Sequence, residues 1–258
     1  MTDHLLYELR GHAAYLTINR QDRRNAITQE MIQGLMEHLN RIDGDPEVRA
    51  ICITGAGDKI FCSGADLGLT LAGEDGHRLA GAKSYAELLK KMTEFGKPLV
   101  ARVNGPCLAG GLGLMLACDL VIARDDAYFC TPEVNVGIFP MMVGALLLRH
   151  VGVKKTMDMV LTGRKVSAPE AAAMGLITRS VPPERLDQEV EDLLAGLTQK
   201  SPIGIRIGKQ AFRAVWDLPF EQAVDSLCEA LGNVLSTEDA AEGMKAFLEK
   251  RRPEFKGR

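Results

Sequence analysis

Apolar positions along the 258 residues fall into two rhythms. Short runs at residues 13–19, 48–54, 99–103 and 120–123 have the length and aliphatic content of buried strands. Between the first two, Met31, Ile32, Leu35, Met36, Leu39 and Ile42 return at helical spacing behind Thr28, whose hydroxyl is suited to cap a helix start. A second helix is expected over 110–118, between the last two runs. Strand and helix in alternation imply parallel strands joined by helical crossovers, an α/β class. After about residue 142 the rhythm becomes mainly helical. Ser167, Ala168, Pro169 and Glu170 have the pattern of a capping box, Gly175 is suited to stop a helix, and 184–250 is helical apart from short breaks. Leu227, Leu231, Val234 and Leu235 make an apolar stripe in that tail, which either covers the core or meets another subunit. The length suits one large core and no Pro/Ser-rich linker divides it, so one domain with a helical appendage is expected.

Two glycine-rich breaks follow apolar strands: FCSGAD at 61–66 and NGPCLAGGLGLMLACD at 104–119. Glycine lets an oxyanion approach backbone N–H groups without meeting a Cβ, and the amides at a helix start carry partial positive charge. Two such turns can form one oxyanion hole. Composition narrows the partners. A charged content of 25% with a formal charge of −3 leaves no basic excess for a nucleic acid. No basic-then-apolar leader is visible and no apolar run nears the ~20 residues of a membrane span, so a cytoplasmic protein without a membrane partner is expected. Cys52, Cys62, Cys107, Cys118, Cys130 and Cys228 show no ligand spacing and read as small apolar residues. The histidines are scattered, so no metal site is expected. Gly55-Ala56-Gly57 begins like a dinucleotide turn, but position 60 is isoleucine and a loop continues, so a Rossmann enzyme is set aside. Ser63 lacks the frame of a nucleophile elbow, which sets aside a serine hydrolase.

Five blocks in order, FCSGADL, KPLVARVNGPCLAGGLGLMLACD, TPEVNVGIFP, LTGRKVSAPEAAAMGLI and EGMKAFLEKRRPEF, give the chain a resemblance to the enoyl-CoA hydratase/isomerase family, the crotonases, over residues 13–255. The resemblance implies a crotonase-like α/β spiral of ββα units over 1–195 and a helical C-terminal trimerisation region over 196–258. It implies acyl-CoA thioester substrates, a homotrimer or dimer of trimers, and no separate cofactor, because coenzyme A is part of the substrate. Carried over by motif, the N–H groups of Ala65 and Gly110 hold the thioester oxygen and Glu133 is the catalytic base. Arg23 and Arg24 stand where relatives contact the nucleotide end of coenzyme A, and Ser63, Ala65, Asp66 and Leu67 border the pantetheine. Gly113 and Met141 fall at substrate positions, and Leu231 and Lys250 match tail positions that reach the ligand in relatives, sometimes from a neighbouring subunit. The apolar neighbours Val134, Val136, Ile138, Phe139, Met141 and Met142 are expected to desolvate Glu133 and raise its pKa.

One departure redirects the chemistry. Hydratases of this family carry a second glutamate where Gly113 stands, and glycine can neither orient water nor accept its proton. Moving a double bond from position 3 to position 2 needs one base, which takes a proton from C2 and returns one to C4. The expectation is therefore a 3-enoyl-CoA to 2-enoyl-CoA isomerase. Met141, near the place of an extra acid in dienoyl isomerases, cannot titrate, which disfavours that subgroup. A hydratase or other crotonase-type lyase, with another group replacing the missing carboxylate, and a noncatalytic acyl-CoA binder are the other readings.

Overall fold

The computed structural model describes residues 4–66 and 75–258. The chain runs through β1 (Leu5–Arg10), β2 (Ala13–Ile18), α1 (Gln29–Asp43), β3 (Ala50–Gly55), α2 (Asp75–Thr93), β4 (Leu99–Val103), β5 (Cys107–Leu108) and α3 (Gly110–Leu116). It continues through β6 (Leu120–Arg124), β7 (Tyr128–Cys130), α4 (Met141–His150), α5 (Gly152–Thr162), β8 (Val166–Ser167), α6 (Ala168–Ala173) and β9 (Arg179–Val181). Helices α7 (Leu186–Thr198), α8 (Pro202–Val215), α9 (Phe220–Leu235) and α10 (Glu238–Leu248) complete it.

The main sheet has the order β1-β2-β3-β4-β6-β9. Its strands are parallel from β2 onward, with Ile51 opposite Leu99 and Val100 opposite Leu120, whereas β1 is antiparallel to β2. That edge strand departs from the all-parallel expectation. Only Leu5 of its residues is buried, so no apolar run marks it. Strand β3 is buried at every position because both faces of the sheet are covered. On one face Ile51 and Ile53 join the core formed with Met31, Leu35 and Leu39 of α1. On the other, Ala50 and Cys52 pack with Val190 and Leu194 of α7. Each fully buried aliphatic side chain contributes about 1.5–3 kcal/mol, so these two layers fix the sheet between them.

The local signals act as their chemistry requires, with a few corrections. Thr28 Oγ1 accepts the Met31 N–H at 3.2 Å and starts α1. Helix α3 ends at Leu116, short of the expected residue 118, and the next turn serves the sheet: the Asp119 carboxylate accepts the Leu99 N–H at 2.7 Å and an ammonium bond from Lys209 of α8. Ser167 caps α6 by accepting the Glu170 N–H at 3.3 Å, but the box is half made, because the Glu170 carboxylate takes a two-pronged bond from Arg164 instead. Gly175 stands just past α6 with φ +81°. Five cysteines are buried, Cys228 is exposed and all are reduced. Among the described residues no helix is long and apolar enough to cross a membrane.

Beyond residue 201 the helices contribute little to either core. Neither α8 nor α9 has a buried residue, and α8 holds to the body through polar bonds from Arg206 to the Asp43 carbonyl and from Lys209 to the Lys97 carbonyl. Asp239 at the start of α10 is 2% exposed and accepts bonds from Ser201, Lys256 and Gly257, which folds the last residues back onto α8.

Candidate active site

Three segments far apart in sequence are stitched side by side. The Phe61 N–H donates to the Pro106 carbonyl and the Leu108 N–H to the Cys62 carbonyl, both at 2.9 Å. Strand β5 then pairs with β7, and the Ala109 N–H donates to the Cys130 carbonyl at 2.9 Å. These bonds lay the turn at 61–66 against the start of α3, and lay that in turn against the strand that leads to Glu133. With β8 the short strands form a second sheet, of order β5-β7-β8.

The turn holding Ala65 and the N-terminus of α3 meet at contact distance. A Cβ placed on Gly110 would lie 3.7 Å from the Ala65 nitrogen. Gly64 makes the approach possible: its φ is +91°, and a Cβ there would stand 2.6 Å from the Ala109 Cβ and 3.0 Å from the Gly110 nitrogen. Ala109, the residue before α3, has φ +49°, an uncommon conformation for a side chain with a Cβ and one found at strained functional turns. Around Ala65, Ile27 donates its N–H to the Gly64 carbonyl and accepts that of Asp66, and neither bond uses the Ala65 amide. Among the described residues no backbone acceptor takes the N–H of Ala65 or of Gly110. Ala65 is exposed and Gly110 half-buried, so an incoming oxygen can reach this pair.

Glu133 lies in a 3-10 turn over Pro132–Val136, three residues beyond Cys130. Thr131 pins the turn by donating its hydroxyl to the Met159 carbonyl, and the Cys130 thiol bonds the Gly163 carbonyl. The carboxyl Oε2 is sealed from solvent with no hydrogen-bond partner among the described residues. Burial pushes the Glu133 carboxyl above the ordinary glutamate value of 4.5. Of the apolar neighbours expected around it, Val134 and Met142 are half-buried, whereas Val136, Ile138, Phe139 and Met141 are exposed.

At Gly113, where a second carboxylate was expected in a hydratase, a tyrosine side chain fills the space. Tyr85 of α2 comes so close that a Cβ on Gly113 would collide with its phenol oxygen, with Tyr85 Cζ at 3.2 Å and Leu89 Cδ1 at 3.4 Å. The hydroxyl donates to the Gly110 carbonyl. Tyr85 is 6% exposed. Burial pushes its phenol pKa well above the ordinary tyrosine value. Leu89 also forms part of the wall of a cavity of about 500 Å³, which extends between Leu116, Met142, Leu146, Phe212 and Trp216.

The other residues singled out from sequence are more dispersed. Ser63 donates its N–H to the Arg24 carbonyl at 3.2 Å, so Arg24 lies beside the Ala65 turn, and both Arg23 and Arg24 are exposed. Asp66 is ion-paired with the buried Arg20 at 3.1 Å, a bond that ties down the end of the same turn. Leu67 lies outside the described residues. Met141 is 69% exposed at the start of α4. Leu231 on α9 and Lys250 after α10 are exposed in the C-terminal helices, and nothing in this single chain brings them to the two amides. Sequence reasoning missed Tyr85, whose only signal was a lone aromatic on a helix following an unreadable loop. It also missed Asn25, which is fully buried at φ +53° and bonds the Arg20 N–H and the Ala56 and Ile60 carbonyls.

Comparison with known proteins supplies the context for this geometry. A family model described as enoyl-CoA hydratase/isomerase matches residues 8–258. A relative from Thermus thermophilus is 38% identical over 95% of this chain and 98% of its own length. The short-chain-enoyl-CoA hydratase of Clostridium acetobutylicum is 31% identical over 99% of each chain. The crystal structure of an enoyl-CoA hydratase from Bacillus anthracis superimposes with a TM-score of 0.95 at 28% identity, covering 99% of this chain and 100% of that one. The chain therefore has the crotonase-like α/β fold expected from its motifs.

Proposed function

This chain belongs to the enoyl-CoA hydratase/isomerase family, and from that premise we propose that it moves a carbon–carbon double bond in an acyl-CoA, from position 3 to position 2. The thioester oxygen sits between the N–H groups of Ala65 and Gly110. The Glu133 carboxylate takes a proton from C2, the C–H electron pair moves toward the carbonyl, and the charge on oxygen is met by the two amides. A preorganised donor of this kind is worth about 3 kcal/mol. Glu133, now protonated, returns the proton to C4: the C3–C4 double bond becomes single and C2–C3 becomes double. One carboxyl serves both steps. Burial raises its pKa above the ordinary glutamate value, the direction that makes a carboxylate a better base toward a carbon acid.

The observation that carries the reading is the pairing of a Glu133 carboxyl whose Oε2 is buried without a partner with a Gly113 position filled by Tyr85 rather than by a second acid. Arg23, Arg24, Ser63 and Asp66 would border the coenzyme A. The exposed apolar residues of the C-terminal helices, including Phe212, Phe220 and Phe247, suit a homotrimer or dimer of trimers, in which Leu231 and Lys250 would approach a neighbour's site. Hydration remains the second reading, favoured by the hydratase names of the relatives; a noncatalytic binder is the third. Incubation with 3-enoyl-CoA and with 2-enoyl-CoA, followed by product identification, separates them. Isomer without 3-hydroxyacyl-CoA is the expected result, rapid hydroxyacyl formation refutes it, and binding without turnover supports the third.

A further inference from the structure

We propose that Tyr85 is a specificity-determining residue: its side chain fills, beside Gly113, the space that a second carboxylate and its water would need, and so restricts the site to one-base proton transfer. The proposal rests on the isomerase reading above and names the residue that enforces it. Replacing a glutamate by glycine would by itself leave a void bordered by the Gly110 carbonyl, and a roomy polar void holds water. Water beside an activated enoyl thioester is a nucleophile. Here the Tyr85 hydroxyl occupies that position, donating to the Gly110 carbonyl as a trapped water would, without being free to add to a substrate. The ring is buried and Leu89 flanks it, so nothing displaces it without moving α2. The same hydroxyl braces Gly110, whose N–H belongs to the oxyanion pair. Glycine at 113 and tyrosine at 85 are thus two halves of one choice, since any Cβ at 113 meets the phenol oxygen.

Full-length wild type, Gly113→Glu, Tyr85→Ala and the Tyr85→Ala/Gly113→Glu double variant are incubated with 2-enoyl-CoA and 3-enoyl-CoA, and isomer and 3-hydroxyacyl-CoA are quantified. Gly113→Glu should form no more hydroxyacyl product than wild type, because its side chain meets the phenol. The double variant should form at least about tenfold more than Gly113→Glu, the scale on which a site discriminates by one well-placed group. Equal hydroxyacyl rates in the two, with the double variant folded by thermal melting, overturn the proposal. If the double variant does not fold, Gly113→Ala is compared with Tyr85→Phe/Gly113→Ala. Isomerisation lost on adding the methyl should recover at least about threefold once the hydroxyl is gone, and an equal loss in both backgrounds overturns the proposal. Rapid hydroxyacyl formation by wild type sinks the isomerase reading and this one with it. Isomerisation by wild type beside an unresponsive folded double variant sinks only the role of Tyr85.

Discussion

Gly64→Ala should wedge apart the Ala65 and Gly110 amides proposed to hold the thioester oxygen. The new Cβ would lie 2.6 Å from the Ala109 Cβ, against 3.4 Å at the near edge of ordinary contact, so the turns must separate by 3.4 − 2.6 = 0.8 Å. A displacement of about 1 Å in a reacting geometry costs on the order of 10²-fold in rate. Loss of one oxyanion donor costs a similar factor, about 10²–10³. Stability suffers as well: an L-residue in left-handed backbone costs about 1–2 kcal/mol and overpacking about 1–3 kcal/mol. Gly11→Ala separates these effects, because Gly11 has φ +55° but no atom within 4 Å of the added methyl. That control should lose about 1 kcal/mol and keep its kcat. Double-bond isomerisation and thermal unfolding are measured on both variants. A folded Gly64→Ala protein with kcat within about threefold of wild type would show that the contact between the turns does not govern the oxyanion site.

Three further outcomes follow from the same geometry. Glu133→Gln should lower kcat by about 10²–10⁴-fold. It should also raise the melting temperature at neutral pH: a raised folded pKa means stability present below the unfolded value of 4.5 and lost as pH rises through the folded value, so the gain should vanish below pH 4.5. The acid limb of kcat/KM should lie above 4.5, since the base works only when ionised, and a limb at or below 4.5 contradicts the burial of this carboxyl. Asp239→Ala, which releases Ser201, Lys256 and Gly257, should destabilise by at least about 1.5–3 kcal/mol in urea unfolding and expose the last residues to protease.

The readable parts of this sequence were those whose physics is local. A buried parallel strand such as β3 must be an apolar run, and α1 must repeat at helical spacing behind a cap, so both stood out. The short strands β5, β7 and β8 have two or three residues each, too few for any periodicity, yet they align the candidate site. Glycines 64 and 110 were legible as a possible anion turn, and the five ordered blocks placed Glu133. Tyr85 was not legible, because its meaning depends on a contact with a glycine on a different helix. The desolvation of Glu133 was legible, but not which neighbours would be buried: Val136, Ile138 and Phe139 are apolar in sequence and exposed in the fold.

The hydrogen-bonded seam from Cys62 through Leu108 to Cys130 makes the candidate site depend on contacts between segments far apart in sequence. A fragment ending just before Glu133 would keep all three strips but lack the carboxyl proposed to move the proton. Turnover should accordingly disappear in step with the central sheet during denaturation, and an enzyme assay on this protein doubles as a gauge of its intact tertiary structure.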